Sequence, residues 1–234
     1  DTTDIDGIKK IAEHEKVDGI IAACTDVAVP TAAFVSNSRG IWNIPYESTL
    51  ITCSKIRFRE FLIKNGFPYP HYNTFDIHSQ ISEDYFSNNK VMKPDQSSGS
   101  KGVFIVKNIT EFELRKNETL SFSHNRKGII EDFMDGFQGT CEGVIRNSKI
   151  ERFFFLDRKT AEYPYVATSA HFFPSILTKE QQFLVLDHID KIVTNLNINN
   201  SPFDCDFILT KKLVYILEFT PRIGGNSISK LIKS

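Results

Sequence analysis

Asp206 and Glu218 stand in FDCDFILTKKLVYILEFTPRIGGN (residues 203–226), two apolar runs either side of Thr-Lys-Lys that read as a β-hairpin. With the loop at Lys211 to Leu213, Thr210 pairs with Val214, Ile208 with Ile216 and Asp206 with Glu218. Two carboxylates then face each other across the ladder. Like charges directly opposite destabilise a sheet, and the apolar neighbours Phe207, Ile208, Leu217 and Phe219 leave little water to screen them. A positive partner is therefore expected between them. Mg²⁺, held by one or two carboxylates and by phosphate oxygens, resolves the conflict. Arg222 is the alternative partner and would make the pair a structural ion bridge. A slip of one residue in register would send the two side chains to opposite faces.

A second stretch with chemical potential is KPDQSSGSKGVF (residues 93–104), a Lys-Pro, a loop of small residues and an apolar strand. It reads either as a plain hairpin connection or as a flap whose backbone N–H groups face phosphate. The elements around these two stretches are legible in outline. From residue 90 the short segments KVMKP, GVFIVK, KGIIEDFM, GTCEGVIRN and KIERFFFLD are β-branched or aromatic and separated by turn signals, predicting a sheet with few helices. Residues 178–197 predict a helix with a Thr178/Gln181 capping box and Val185, Ile189, Ile192 and Leu196 on one buried face.

Upstream, residues 4–16 have helical spacing, VDGIIAAC (17–24) reads as a buried strand, and TDVAVPTAAFVSNSRG as a loop and helix. Helix, strand and helix suggest the tail of a doubly wound α/β unit. No Gly-x-Gly-x-x-Gly follows an opening strand, which speaks against a dehydrogenase. TCSKIRFREFLIKNGFPYP (52–70) carries a capping residue, a basic and apolar helix, a stop at Gly66 and two prolines, and a boundary is placed just before it. The chain begins at Asp1 and ends in what reads as a helix, so a piece of a longer protein is expected.

With 234 residues, 41% hydrophobic and 24% charged, the sequence can bury a substantial core. A formal net charge of -1 gives no global positive field for nucleic acid. Cys24, Cys53, Cys141 and Cys205 are scattered without zinc-ligand spacing and read as reduced thiols of a cytoplasmic protein. No apolar run is long enough to span a bilayer, so no membrane partner is expected.

Taken in order, Lys55 on a helix, VMKP with Lys93, DQSSGSKGV, IIEDFMDG, Asp206 on a strand and LEFTPRIGGN resemble the ATP-grasp superfamily, in particular the carboxylate-amine ligases related to carbamoyl-phosphate synthetase and biotin carboxylase. The resemblance runs from about residue 52 to the end. It implies an α/β (α+β) fold in which two lobes, about 72–134 and 135–234, clasp the nucleotide. The large lobe is expected to be truncated at its C-terminus, and residues 1–51 to be part of a Rossmann-like domain preceding the ATP-grasp domain.

The resemblance also implies roles. Lys55 and Lys93 face the phosphates of ATP, and Ser98, Gly99, Ser100 and Gly102 form the flap above them. Glu131, Asp132 and Met134 mark the adenine pocket, and Gln138 stands where the family usually has a ribose-binding glutamate. Glu142 lies near the phosphate and metal region. Asp206 and Glu218 hold Mg²⁺, with Mn²⁺ as a possible substitute, and Thr220 replaces the family's third ligand, an asparagine. Arg222 would act on the transferring phosphoryl group, together with Lys93 and Lys55 as the catalytic set. Arg158, Lys159, His171 and Asn226 are candidates for the substrate.

The chemistry implied is an ATP-dependent, ADP-forming ligation: a carboxylate takes the γ-phosphate as an acyl phosphate, and an amine displaces phosphate. Small-molecule carboxylate and amine are the expected partners, and a homodimer is possible. A bicarbonate-dependent carboxylase or carbamoyl-phosphate type enzyme and a non-catalytic nucleotide-binding module are the alternatives. No Gly-x-Ser-x-Gly elbow accompanies the Ser and His of TSAHFFP, so hydrolase chemistry is set aside.

Overall fold

The computed structural model describes residues 1–41, 44–225 and 228. Its helices are α1 (Ile5–His14), α2 (Val29–Ser38), α3 (Tyr46–Thr52), α4 (Lys55–Lys64), α5 (Ile109–Ser121) and α6 (Lys179–Asn195). Its strands are β1 (Tyr72–Phe75), β2 (Lys90–Pro94), β3 (Phe104–Val106), β4 (Gly128–Asp132), β5 (Phe137–Arg146), β6 (Lys149–Thr160), β7 (Thr168–Phe172), β8 (Ser201–Leu209) and β9 (Val214–Thr220).

The strands form two antiparallel sheets, one of order β1-β4-β2-β3 and one of order β7-β6-β5-β8-β9. Alternation along each strand divides the larger sheet into an apolar and a polar face. On the apolar face Cys141, Phe155, Phe203, Cys205, Phe207 and Phe219 form one core with Val185, Ile189, Ile192 and Leu196 of α6 and with Phe58, Phe61 and Leu62 of α4. The smaller sheet packs Phe75, Met92, Phe104, Val106 and Ile130 against Phe112 and Leu120 of α5. A buried side chain of this size stabilises by roughly 1.5–3 kcal/mol, so these two layers are what hold the sheets in shape.

The α6 expectation holds in detail: Thr178 and Gln181 form the capping box, and the four named apolar residues are buried. Ser54 caps α4, and Gly66 ends it in the left-handed conformation, with φ at 72°. Helix α5 was not foreseen in a half read as nearly all strand. Its start carried a signal, since the Asn108 side chain accepts from the Glu111 N–H.

VDGIIAAC is a correction. Residues 17–24 join neither sheet, and Ile21 is 69% exposed. An apolar run is compatible with a buried strand but becomes one only if a neighbouring strand takes its ladder. Here the Ala23 carbonyl instead accepts from the Ile223 N–H at 3.1 Å, tying the segment to the turn after β9.

The two sheets are also joined by a loop. Residues 161–167, between β6 and β7, reach the edge of β3, where the Ile105 N–H donates to the Pro164 carbonyl at 2.7 Å and Tyr165 bridges Phe104. The Tyr165 and Phe104 rings lie 5.8 Å apart.

Candidate functional site: a cation-lined cavity between the two sheets

The hairpin β8–β9 pairs Asp206 with Glu218 as expected, by a different route. The loop is one residue longer than foreseen: Leu209 pairs with Val214, Ile208 with Tyr215 and Phe207 with Ile216. The expected Thr210–Val214 and Ile208–Ile216 pairs do not form. A bulge between Asp206 and Phe207 leaves Leu217 without a partner and restores the register at Glu218. The extra residue bends β9 and turns both Leu217 and Glu218 toward the cavity they line.

Strand registers place the remaining polar groups on the same face. Thr140 lies opposite Asp206, Glu142 opposite Asp204, Asp204 opposite Thr220, and His171 opposite Arg158. This face, the flap loop between β2 and β3, and strands β2 and β4 enclose a cavity of about 340 Å³. Lys55, Lys93, Arg158, His171, Asp204, Asp206, Glu218 and Arg222 all line it, with Ser98, Gly99 and Ser100 above and Glu131, Asp132, Met134 and Gln138 along one side.

Of the expected site residues, Gly102, Glu142 and Lys159 do not line the cavity. Gly102 is the packed root of the flap: with φ at 70°, a Cβ there would meet the Phe122 ring at 2.7 Å. Lys159 is exposed, because it alternates with the inward Arg158 along β6. Glu142 is buried opposite Asp204, with Gly224 packed against its carboxylate. Asn226 lies outside the described residues.

The flap is tied at its root and free of packing at its tip. The Asp95 carboxylate accepts from Ser54 Oγ, the Ile56 N–H and Asn125, so the start of α4 and the flap root are one unit. Gly99 and Ser100 both take positive φ, 68° and 56°, a conformation that turns successive N–H groups to one side.

Charge is unevenly shared around the cavity. Glu131 is 1% exposed, and its two oxygens accept from Arg59 Nε at 2.6 Å, from Arg59 Nη2 at 3.3 Å and from Lys93 Nζ. Burial alone would raise its pKa, but Arg59 and Lys93 outweigh burial and hold the carboxyl at about 2. One carboxylate thus serves two cations. Burial lowers the Lys93 pKa, Glu131 opposes this, and Arg59 and Lys55 add to the lowering, so the ammonium is short of negative charge. Phosphate oxygens would supply it.

Asp206 accepts from Thr140 Oγ1 at 2.6 Å and from Arg158 Nη1 at 2.7 Å. Glu218 accepts from Lys55 Nζ at 3.2 Å, and Lys55 also donates to the Ser97 carbonyl of the flap at 2.9 Å. Burial pushes the Glu218 carboxyl up, and Lys55, then Arg222 and Lys93, more than reverse it. Arg222 does not sit between Asp206 and Glu218 as the alternative reading required. Its Nε donates to Asp26 and its Nη1 to Asp204, both at 2.6 Å.

Beneath this layer negative charge is in excess. Burial, then Asp206, push Asp204 up to about 8 in spite of Arg222, and burial raises Glu142 to about 7. Glu142 Oε1 is a buried acceptor without a hydrogen-bond partner. The donor set suits a hard cation: two carboxylates paired across a hairpin on one cavity wall, with surplus acid behind them. Among the described residues no group of three or more His, Cys, Asp or Glu is arranged to hold a metal by itself. Phosphate oxygens and water would complete the coordination, the arrangement Mg²⁺ favours.

Three residues that shape the site escaped the sequence reading. Asp204 was legible, because FDCDF puts it two residues from Asp206 on the same face. Asp26 and Arg59 had no local signal: one follows the apolar run, the other lies inside a basic helix. Arg59 is fully buried, and its Nη1 donates at 2.9 Å to the carbonyl of Leu217, the bulged residue beside Glu218.

Residues 86–230 match the family described as ATP-grasp domain. Over its whole length the chain is 25% identical to the uncharacterized protein y4rH of Sinorhizobium fredii (strain NBRC 101917 / NGR234), of which it spans 50%. Its fold matches the L-amino acid ligase from Bacillus licheniformis with a TM-score of 0.76 at 19% identity, covering 97% of this chain and 55% of that one. The biotin carboxylase domain of Hydrogenobacter thermophilus 2-oxoglutarate carboxylase, in complex with MgADP, ADP and bicarbonate, matches with a TM-score of 0.76 at 16% identity, covering 95% of this chain and 52% of that domain. The family match covers more than half of the chain and takes in the whole of the larger sheet and strands β2 to β4 of the smaller one: the chain belongs to the ATP-grasp family.

Proposed function

We propose that the protein is an ATP-dependent carboxylate-amine ligase, which makes an acyl phosphate from a small carboxylate and ATP and passes the acyl group to an amine. The observation that carries this reading is the cavity itself, where Lys55, Lys93, Arg158 and Arg222 surround the paired Asp206 and Glu218 beneath a loop of small residues. Such a site neutralises several negative groups at once and holds them in line. Phosphoryl transfer asks little else of a protein.

In this reading Lys93 and Lys55 bind phosphate oxygens, and the flap's main-chain N–H groups close over them. Main chain around Asp132 to Met134 meets the adenine, and Gln138 a ribose hydroxyl. Asp206 and Glu218 hold Mg²⁺, which supplies charge neutralisation of the phosphates when bound. Arg158 would exchange Asp206 for the substrate carboxylate, beside Thr168, which already accepts from its Nε at 2.6 Å, and His171. Arg222 would be held by Asp26 and Asp204 where the acyl phosphate forms, its planar donors suited to phosphate. Residues 1–51 belong to a preceding domain and residues 52–234 to the ATP-grasp domain.

The test is ADP release from Mg-ATP by the full-length protein across a panel of carboxylates, with and without amines. Glu218→Gln serves as the blank. Release that requires a carboxylate and rises with an amine is expected. Bound ATP without release for any pair would favour a non-catalytic nucleotide-binding module, and release with bicarbonate alone a carboxylase.

A further inference from the structure

Strand β9 is an edge of the larger sheet, and its bulge decides where Glu218 points. In a regular ladder the pairing of Phe207 with Ile216 would continue to Asp206 with Leu217 and Cys205 with Glu218. Cys205 belongs to the buried core, so the Glu218 carboxylate would turn from the cavity onto the apolar face. The extra residue prevents this and sets Glu218 opposite Asp206. It also leaves Leu217 without a partner on β8, and among the described residues no strand lies on the other side of β9. The Leu217 carbonyl finds its donor elsewhere, accepting from Nη1 of Arg59 at 2.9 Å. Through Nε and Nη2 the same guanidinium donates to Glu131 on β4, which also accepts from Lys93.

From these contacts we infer that Arg59 is a positioning residue for phosphoryl transfer, one that fixes the carboxylate of Glu218 and the ammonium of Lys93 relative to each other. The inference rests on the reading of Asp206 and Glu218 as the Mg²⁺ site. Arg59 is fully buried and does not line the cavity, so it acts through two arms. One arm gives a donor to a carbonyl that the ladder leaves unpaired, and so favours the bulged register over the regular one. The other shares Glu131 with Lys93 and holds that ammonium at the cavity wall. The arms end on different sheets, at β9 of the larger and β4 of the smaller, and start from one rigid group on α4. A guanidinium suits this, because its planar fork reaches several acceptors at fixed angles where an ammonium is a point charge. Mg²⁺ demands near-ideal octahedral geometry, and in-line transfer tolerates little misplacement, so a small turn of Glu218 is felt at the phosphates.

The experiment uses Arg59→Lys. The ammonium keeps a cation beside Glu131 but cannot at the same time donate to the Leu217 carbonyl, so one arm is kept and the other lost. Full-length wild type and variant are compared in trimethylamine N-oxide, which favours the folded state, and circular dichroism gives the folded fraction. Mn²⁺ affinity at saturating ADP is read from the electron paramagnetic resonance of free Mn²⁺, and ADP and AMP affinities in EDTA by calorimetry. Expected is a Kd for Mn²⁺ at least tenfold higher in the variant, about 1.4 kcal/mol, while the ratio of AMP to ADP affinity without metal stays within about threefold of wild type. A purely structural role would lower the number of Mn²⁺ sites in proportion to the folded fraction and leave the Kd of the rest unchanged. That result, or equal losses of Mn²⁺ binding and of metal-free ADP binding, would overturn the inference. A wild type that takes up no Mn²⁺ with ADP removes the metal-site reading, and the inference with it.

Discussion

Arg59→Met removes a charge from the place where three parts of the molecule meet. Arg59 on α4 holds Glu131 of β4 with two hydrogen bonds and the Leu217 carbonyl of β9 with a third, and its side chain is fully buried. Methionine fills similar space without a donor. Removing one partner of a buried ion pair costs about 3–5 kcal/mol, because the remaining charge stays buried. The titration of Glu131 points to a similar size: holding its pKa at about 2 instead of 4.5, at about 1.4 kcal/mol per pH unit, is worth about 3 kcal/mol, shared between Arg59 and Lys93. A domain has about 5–15 kcal/mol in total, so the variant should unfold at markedly lower urea.

The sign of the pH dependence follows from the depressed pKa. The contribution is fully present above pH 4.5 and is lost as pH falls toward 2, so the gap between wild type and variant should narrow below pH 4.5. Urea unfolding followed by circular dichroism at pH 7, 5 and 3.5 measures it, with Glu131→Gln and the double variant closing the cycle. A loss under 1 kcal/mol at pH 7, or single losses that simply add in the double variant, would refute the reasoning.

Glu218→Gln should abolish phosphoryl transfer while the unfolding midpoint stays within about 1 kcal/mol of wild type, since its carboxylate faces the cavity and not the core; equilibrium unfolding beside an ADP assay separates the two. Gly128→Ala should destabilise by about 1–3 kcal/mol, because a Cβ there would lie 2.3 Å from the buried Phe75 ring, and a calorimetric scan reads it. Glu142 has a raised pKa, so its contribution to the stability of the ligand-free protein is full below pH 4.5 and disappears as pH passes about 7; melting temperature should therefore decline between pH 5 and 8, and Glu142→Gln should flatten that decline. Replacing Tyr163 to Tyr165 by glycines should release the loop from β3, seen as faster proteolysis within 161–167 and a higher KM for ATP.

Much of the lining of the candidate site was legible because local pattern places it. Alternation in FDCDFILT and LVYILEF puts Asp206 and Glu218 on one face, and the small residues of SSGS mark a loop that can approach phosphate. The capping box and apolar stripe of α6 likewise depend only on neighbours a turn apart. Even the Asp206–Glu218 pairing came out as expected, although the loop and the bulge behind it did not: a longer loop and an extra residue in β9 offset one another.

What tertiary structure alone decided is which charges meet. Arg222 turns from the acid pair to Asp26 and Asp204, Arg158 takes Asp206, and Glu131 is shared by Arg59 and Lys93. These partners come from different elements, and electrostatic energy depends on distance and burial, neither of which is written in residue order. The same holds for VDGIIAAC. Its composition allows a strand, but a strand exists only where a neighbour accepts its hydrogen bonds. Periodicity therefore determined the faces of this protein, and packing determined what each face touches.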